Sequence, residues 1–504
     1  MHRNASIASF LAIAVALGLA ALSGCATVDE GKGLVTASVN NGKIPITTAS
    51  EEAKKELIQG RDLAERLLIQ DSIQHFDKAI SLDPNFALAE MNRANVSPTG
   101  KEFFDHLKKA VSLADKASEG ERLLILSTEA GANGNVAKQK ETLDKLIAAY
   151  PNDERAHFNL GGYYFGQQDY PQAIEHYKKA TQLEPKYSTA YNILGYAYRQ
   201  AGDYDNAEQA FKKYIELIPN DPNPYDSYAE LLLKMGRFDE SITQYRKALS
   251  IDPNFIASHL GSAADLMYLG KPDDSAAELQ KISEKARNDG ERRTALFGMT
   301  VLAIDRGQMD KALEEVDKQY ALGEKTSDVP AMAGDLQLKG NILLETGKYD
   351  EAKDSFERAL KMTETSSLSQ EIKDNAKLQD HYNLAAVALG KKDFTTAKAE
   401  AEAFRKGAET SKNPAQVRQS HELSGMIALA EKDYDKAIAE LKQANQQNTY
   451  NLYRLCLAYE GKADAAMAKE FCTKAAHFNP LPAVNHAFIR TKAEKMASAS
   501  AMKT

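Results

Sequence analysis

The chain has 504 residues, a formal net charge of −8 and an aromatic content of 8% without any tryptophan. An acidic chain that carries no basic cluster with interleaved aromatic residues repels nucleic acid, so we expect no nucleic-acid partner. The three cysteines, at positions 25, 456 and 472, form no Cys-x-x-Cys pair that would indicate a zinc or redox site.

The N-terminus carries the pattern of an export signal. Arg3 precedes an apolar run from Ile7 to Leu22, which is too short for an ordinary membrane-spanning helix. The run ends in the sequence LSGC, whose last residue is Cys25. This sequence resembles the lipobox of bacterial lipoproteins, in which the cysteine is lipidated and becomes the first residue of the mature chain. We therefore predict a signal peptide over residues 1–24 and a lipid on Cys25.

The alternative is an ordinary signal peptide followed by an incidental cysteine. If the resemblance holds, Ala26 takes the place of the aspartate that often retains lipoproteins in the inner membrane. This favours a lipid anchor in the outer membrane, with the protein facing the periplasm of a bacterial cell envelope. After the cysteine, the segment up to residue 52 is rich in Thr, Ser, Gly and Asn, so residues 25–52 are predicted to be the lipidated cysteine and a flexible tether.

From residue 53 onward the sequence repeats with a fixed period. Pro151, Pro185, Pro219 and Pro253 lie 34 residues apart, and small and aromatic residues between them recur in the same register. This period resembles that of the tetratricopeptide repeat (TPR) family. The resemblance implies an all-α solenoid of antiparallel helix pairs that forms a right-handed superhelix. It also implies that the chain works by holding other proteins or peptides.

The residues of one repeat explain why it forms a helix hairpin. In residues 154–187, apolar side chains recur every three or four positions and give one stripe on each of two helices. Gly161 and Ala173 are small where the two helices would cross closely, and Tyr177 would fill the space beside the crossing. Pro185 ends the second helix because it cannot continue the backbone hydrogen bonds.

About twelve such units fit into residues 53–480, with differing regularity. We predict a regular N-terminal array over residues 53–289, a more degenerate C-terminal array over residues 290–480, and a capping helix and tail over residues 481–504. Long polar connections, such as those near residues 286–292 and 363–377, are expected to bend or break the stack.

Cys456 and Cys472 occupy repeat positions 8 and 24, on the two facing helices of the last repeat. Because the protein is predicted to be exported, we predict a disulfide between them. The alternative is that both are reduced small residues of the core.

The family resemblance also indicates where a partner would bind. In TPR proteins the first helices line a concave surface, and a fixed set of repeat positions points into it. In this chain those positions between residues 154 and 268 hold Arg155, Phe158, Asn159, Phe165, Asn192, Tyr196, Arg199, Asp226, Glu230, Met267 and Tyr268. Tyr196 and Arg199 are expected to serve as anchors that point away from the interhelical core. The alternative is that these are ordinary surface residues and that binding occurs elsewhere.

No linear motif in the sequence points to catalysis. The sequence lacks a phosphate-binding loop, an esterase Gly-x-Ser-x-Gly turn and a His-Glu-x-x-His helix. His157 and His259 recur at one repeat position, so we interpret them as packed structural residues rather than metal ligands. We therefore expect no enzyme activity, no cofactor, no metal and no small-molecule substrate.

These observations favour a non-catalytic, membrane-anchored scaffold that binds protein or peptide partners in its concave groove during assembly of an envelope complex. The alternative is an adaptor or regulator that recruits a periplasmic enzyme acting on the cell wall or in protein quality control.

Overall fold

The computed structural model describes residues 42–501, with side chains up to residue 499. The predicted signal peptide and Cys25 lie outside this part of the chain. Within it the chain forms twenty-five α-helices and no strand. The helices are α1 (Glu51–Glu65), α2 (Ile69–Leu82), α3 (Ala87–Asn95), α4 (Gly100–Leu113), α5 (Glu119–Ala132), α6 (Val136–Ala149), α7 (Glu154–Gly166), α8 (Tyr170–Leu183), α9 (Ser188–Ala201), α10 (Tyr204–Leu217), α11 (Pro222–Lys234), α12 (Phe238–Ile251), α13 (Ile256–Tyr268), α14 (Pro272–Lys285), α15 (Asp289–Asp305), α16 (Met309–Thr326), α17 (Val329–Glu345), α18 (Tyr349–Glu364), α19 (Gln370–Gly390), α20 (Phe394–Ser411), α21 (Pro414–Ala430), α22 (Tyr434–Gln443), α23 (Thr449–Gly461), α24 (Ala465–Ala476) and α25 (Val484–Ala501).

The helices form a continuous stack of hairpins. Each odd-numbered helix from α1 to α23 packs against the even-numbered helix that follows it, and each hairpin packs against the next. Below, the odd-numbered helix of each hairpin is called its first helix, and the even-numbered helix its second helix. The all-α solenoid predicted from the 34-residue period is therefore confirmed, with twelve helix pairs in the described residues.

Local sequence sets the ends of these helices. Asp153 precedes α7, and its Oδ1 accepts hydrogen bonds from the amides of Arg155 (2.8 Å) and Ala156 (2.9 Å). Between α9 and α10 the chain turns at Gly202, whose φ of +81° is a conformation that glycine adopts without steric cost.

A small residue of the first helix lies against an aromatic ring of the second helix in several hairpins. Gly161 lies against Tyr177, and a Cβ atom on Gly161 would come within 2.8 Å of the Tyr177 ring. The same relation joins Gly195 to Phe211, where the distance would be 2.7 Å. Both rings are fully buried. The close helix crossing predicted from the small residues is therefore present.

The second half of the stack has longer helices. The first helices α15, α17 and α19 begin at Asp289, Val329 and Gln370, about 40 residues apart rather than 34. The prediction that long polar connections break the stack is wrong, because most of those residues extend the helices and each hairpin packs against the next. Good helix formers such as Glu, Lys and Ala are frequent there, so added residues lengthen helices at low free-energy cost.

Successive turns of the superhelix contact each other. The amide of Gly100 donates to Oδ2 of Asp328 (2.9 Å), Nδ2 of Asn375 donates to the carbonyl of Asn133 (3.0 Å), and Nζ of Lys234 donates to the carbonyl of Phe478 (2.6 Å). These pairs are separated by 228, 242 and 244 residues, so one turn takes roughly seven repeats. Neighbouring turns of the solenoid are thus in contact along its axis, rather than separated as in an extended superhelix.

The last helix, α25, fastens the end of the stack to its middle. Its apolar residues Val484, Phe488 and Ile489 are buried in a core that α15, α23 and α24 share. On its other side, Arg490 forms two hydrogen bonds with the carboxylate of Asp305, at 2.8 and 2.6 Å. The predicted capping helix therefore covers α24. It also joins the last repeat to α15, the first helix of the eighth repeat.

Candidate protein-interaction groove

The first helices line the inner surface of the superhelix. First helices of neighbouring repeats contact each other directly, as α3 and α5, α11 and α13, and α21 and α23 do. Polar contacts also cross the interior of the first turn: Nε of Arg66 donates to Oδ2 of Asp221 (2.5 Å), and the Thr189 hydroxyl donates to Glu65 (3.5 Å). The interior is therefore narrow and rich in charged side chains.

An extended segment, residues 43–49, crosses this inner surface along the N-terminal ends of the first helices. Three of its backbone amides donate to carboxylates of three different repeats. The amide of Ile44 donates to Asp153 (2.8 Å), that of Thr47 to Glu121 (2.8 Å) and that of Ala49 to Asp83 (3.2 Å). The segment therefore runs antiparallel to the order of the repeats.

Side chains add to these backbone contacts. Lys43 forms an ion pair with Glu154, and the hydroxyl of Thr48 donates to Asp83 (2.6 Å). Ile44 is buried against Gly120, where a Cβ atom would come within 2.8 Å of Cγ2 of Ile44. The prediction of a tether that runs to residue 52 is wrong for residues 43–49, because these bonds attach them to the array, and α1 already begins at Glu51.

The eleven residues predicted to line the groove differ in exposure. Arg155, Phe158, Asn192, Asp226 and Met267 are buried, whereas Asn159, Phe165, Tyr196, Arg199, Glu230 and Tyr268 are half-buried. The curvature of the superhelix brings opposite sides of the inner surface together and leaves little of it open.

Phe158 and Met267 are core residues, so their assignment as groove anchors is wrong. The ring of Phe158 is fully buried between Tyr177 and Tyr187, at centroid distances of 5.5 and 5.3 Å. Met267 belongs to the core that includes Leu279 of the following helix. Each of them packs between neighbouring helices instead of pointing into the superhelix.

Tyr196 and Arg199 lie on the inner surface but are engaged by neighbouring residues. The Arg199 guanidinium lies 4.6 Å from the centre of the Tyr196 ring, and its Nη1 donates to Oε2 of Glu230 (3.1 Å). The Tyr196 ring packs edge-on against Phe211, 5.2 Å away. The expectation that these two side chains point away from the interhelical core is therefore wrong for Tyr196.

The far end of the predicted groove is filled by the C-terminal part of the chain. The hydroxyl of Tyr268 donates to the carbonyl of Pro480 (2.6 Å), and its ring packs against His486. Burial, with a smaller contribution from Arg199, lowers the pKa of Lys234 to about 7, while its Nζ donates to the carbonyl of Phe478. This end of the predicted groove is therefore covered by the chain itself.

Two charged residues of the inner surface, Arg61 and Glu65, were not predicted from the sequence. They lie on α1, one turn apart. Burial raises the pKa of Glu65 to about 7, and burial together with the nearby Arg155 lowers the pKa of Arg61 to about 9. Gly60 occupies the same repeat position as Gly161. Counted from Gly60, Arg61 and Glu65 both occupy repeat positions that point inward. Extending the register into this weaker repeat would have identified them.

The recurring histidines are packed between the helices of their own hairpins. Nδ1 of His259 lies 2.9 Å from Glu278, and Nδ1 of His421 lies 2.7 Å from Glu440, both with a separation of 19 residues. His157 contacts His176 at the same spacing. Within the described residues no cluster of ligands could hold a metal ion, and no helix is long and apolar enough to span a bilayer.

Cys456 and Cys472 are fully buried on α23 and α24 and form a disulfide in the structure, with their Cα atoms 5.1 Å apart. They are separated by 16 residues, the same separation as Gly161 and Tyr177. The bond therefore takes the place of the contact between a small residue and a ring in other hairpins. Its formation in the cell stays a prediction.

Comparison with known proteins agrees with this repeat architecture. Tetratricopeptide repeat models match residues 126–188, 163–222 and 222–255, and a tetratricopeptide repeat-like domain model matches residues 255–381. Together the matches run without a break over residues 126–381, just over half of the chain. The chain belongs to the tetratricopeptide repeat family. Proteins of this family are typically protein-interaction scaffolds and are generally not catalytic.

Solved structures resemble parts of this array. The MamA protein is 24% identical over 33% of this chain and 91% of its own, with a TM-score of 0.28. A tetratricopeptide repeat protein from Parabacteroides merdae ATCC 43184 is 19% identical over 51% of this chain and 97% of its own, with a TM-score of 0.35. TTC0263, a thermophilic TPR protein in Thermus thermophilus, is 21% identical over 43% of this chain and 99% of its own, with a TM-score of 0.29. No curated protein matches the chain.

Proposed function

We propose that this TPR protein is a non-catalytic scaffold that binds extended segments of partner proteins along the inner surface of its N-terminal repeats. The observation that carries this proposal is the path of residues 43–49. These residues lie extended on that surface and are held through their backbone amides by Asp83, Glu121 and Asp153. A surface that holds one extended segment in this way has the chemistry to hold another.

The mode of binding explains what such a partner would need. Carboxylates that accept from backbone amides recognise an extended chain without reading its side chains. Selectivity then comes from the site of Ile44, which accepts one branched apolar side chain, and from Glu154, which pairs with a cation. The expected partner segment is therefore extended, carries a positive charge and has an apolar residue next to it.

We further propose that Cys25 anchors the array to the outer membrane and that the array faces the periplasm, where it assists the assembly of an envelope complex. The support for the anchor is the LSGC sequence at the end of the apolar run. The support for a role in assembly is the repeat architecture, whose known members typically hold other proteins.

Site-specific photo-crosslinking in living cells tests the binding surface. A photoreactive amino acid placed at Asn159 or Gln200, which are half-buried at inward-pointing repeat positions, should capture partner proteins that mass spectrometry then identifies. Glu175 and Gln209 are exposed on the second helices of the same repeats and provide matched controls. Adducts from the two control positions together with none from the inner positions would contradict the proposal.

A second measurement tests whether the partner takes the place of residues 43–49. Trypsin cleaves after Lys43, which is half-buried and paired with Glu154 in the free protein. Addition of a captured partner should accelerate this cleavage, because the segment is displaced. Protection of Lys43 by the partner would show instead that the partner binds over the segment and leaves it in place.

A further inference from the structure

A small cavity lies beneath the extended segment, between α1, α3, α5 and α7. Its volume is about 20 Å³, enough for one or two groups of the size of a water molecule. Its polar lining consists of Arg61, Arg155, Asn92 and Asn159, and Ile44 and Pro45 of the extended segment cover it. No carboxylate lines the cavity. Its lining therefore carries two positive charges.

The two guanidinium groups have hydrogen-bond donors without acceptors. Arg61 is 3% exposed and Arg155 is 6% exposed. In both, Nε and Nη2 are buried and have no hydrogen-bond partner. These two nitrogens form the edge with which a guanidinium group binds an anion through two hydrogen bonds. Leaving such donors unpaired away from water is costly, so an acceptor is expected between them.

The neighbouring carboxylates do not supply that acceptor. Glu65 interacts electrostatically with both arginines, but neither of its oxygens bonds their Nε or Nη2 atoms. Glu121 accepts from the amide of Thr47, and Glu154 is paired with Lys43. Glu121 and Glu154 are therefore held beside the cavity by other contacts. Oε2 of Glu65 accepts from the Thr189 hydroxyl, and its Oε1 has no partner.

We propose that this cavity binds one small monovalent inorganic anion, of the size of chloride, between Arg61 and Arg155. Oδ1 of Asn92, which also lacks a partner, can accept a hydrogen bond from a water molecule beside the ion. The anion joins α1 to α7 and supports the extended segment above it in the free protein.

Thermal unfolding of the purified full-length protein tests the site. Replacing sodium gluconate by sodium chloride at constant ionic strength should raise the Tm by about 2 °C, because chloride binds only the folded state. Arg61→Gln and Arg155→Gln should each abolish this rise. Arg405→Gln, which alters an exposed arginine paired with Glu402 and Glu409, should retain it. An equal rise in all three variants would overturn the proposal.

Crystals of the unaltered protein give an independent answer if the arginine variants do not fold. After a soak in sodium bromide, an anomalous scattering peak is expected within hydrogen-bond distance of Nε of both Arg61 and Arg155. A cavity that contains only water after the soak would overturn the proposal, because bromide replaces chloride at sites of this kind.

Discussion

Gly161 and Tyr177 lie so close that no other side chain fits between their helices: a Cβ atom on Gly161 would lie 2.8 Å from Cε1 of the Tyr177 ring. Tyr177 is fully buried and cannot turn away. This contact sets the distance between α7 and α8.

We predict that Gly161→Ala lowers the free energy of unfolding by about 1–3 kcal/mol, because the added methyl group overpacks the crossing. Urea denaturation measures the loss. Gly166→Ala, at the end of the same helix, places its methyl group where no atom lies within 4 Å and should be neutral or slightly stabilising. Equal effects of the two substitutions would show that the crossing is not tightly packed.

The disulfide between Cys456 and Cys472 is predicted to form in the exported protein. Protein isolated without reductant and then unfolded should expose no thiol to alkylation at these two positions. Cys472→Ser should lower the free energy of unfolding by about 3 kcal/mol, the stabilisation expected for a short loop closed by a disulfide. Complete alkylation of both cysteines without reductant would contradict this prediction.

The contribution of Asp265 to stability is predicted to fall as the pH rises from about 4 to about 8. Burial raises the pKa of this carboxyl to about 8, whereas in the unfolded chain it ionises near pH 4. The folded state therefore binds a proton that the unfolded state releases, and this contribution is lost as the pH rises through the folded pKa. At pH 9, Asp265→Asn should raise the free energy of unfolding by about 3–5 kcal/mol.

The control for Asp265 is Asp273, whose side chain is 92% exposed. Asp273→Asn should leave the pH dependence of unfolding unchanged. If Asp265→Asn shows the same pH dependence as the unaltered protein, the carboxyl of Asp265 is ionised in the folded state and the prediction is wrong.

The lipid anchor is tested at Cys25. Cys25→Ser should abolish labelling with radioactive palmitate and should leave the signal peptide uncut, since the lipobox interpretation makes lipidation a condition of cleavage. Two buried acyl chains, at about 0.8 kcal/mol per methylene group, suffice to hold the array on a bilayer. Unchanged fatty-acid labelling of the serine variant would contradict the prediction.

The hairpins could be predicted from the sequence because their contacts are local. Gly161 and Tyr177 are 16 residues apart, and the same small-to-aromatic spacing recurs at Gly195 and Phe211. Helix crossing, cap and turn are each set within about 34 residues, so a fixed period is enough to identify them. The closeness of Cys456 and Cys472 followed from the same spacing.

The tertiary structure alone decided how open the inner surface is. A small rotation at each repeat accumulates over roughly seven repeats, and only this sum brings Lys234 to Phe478 and Gly100 to Asp328. No periodic pattern reports a contact across more than 200 residues. For the same reason the sequence placed Tyr268 in an open groove, although the chain near Pro480 covers it. It also assigned residues 43–49 to a flexible tether, although they bind to the inner surface of the array.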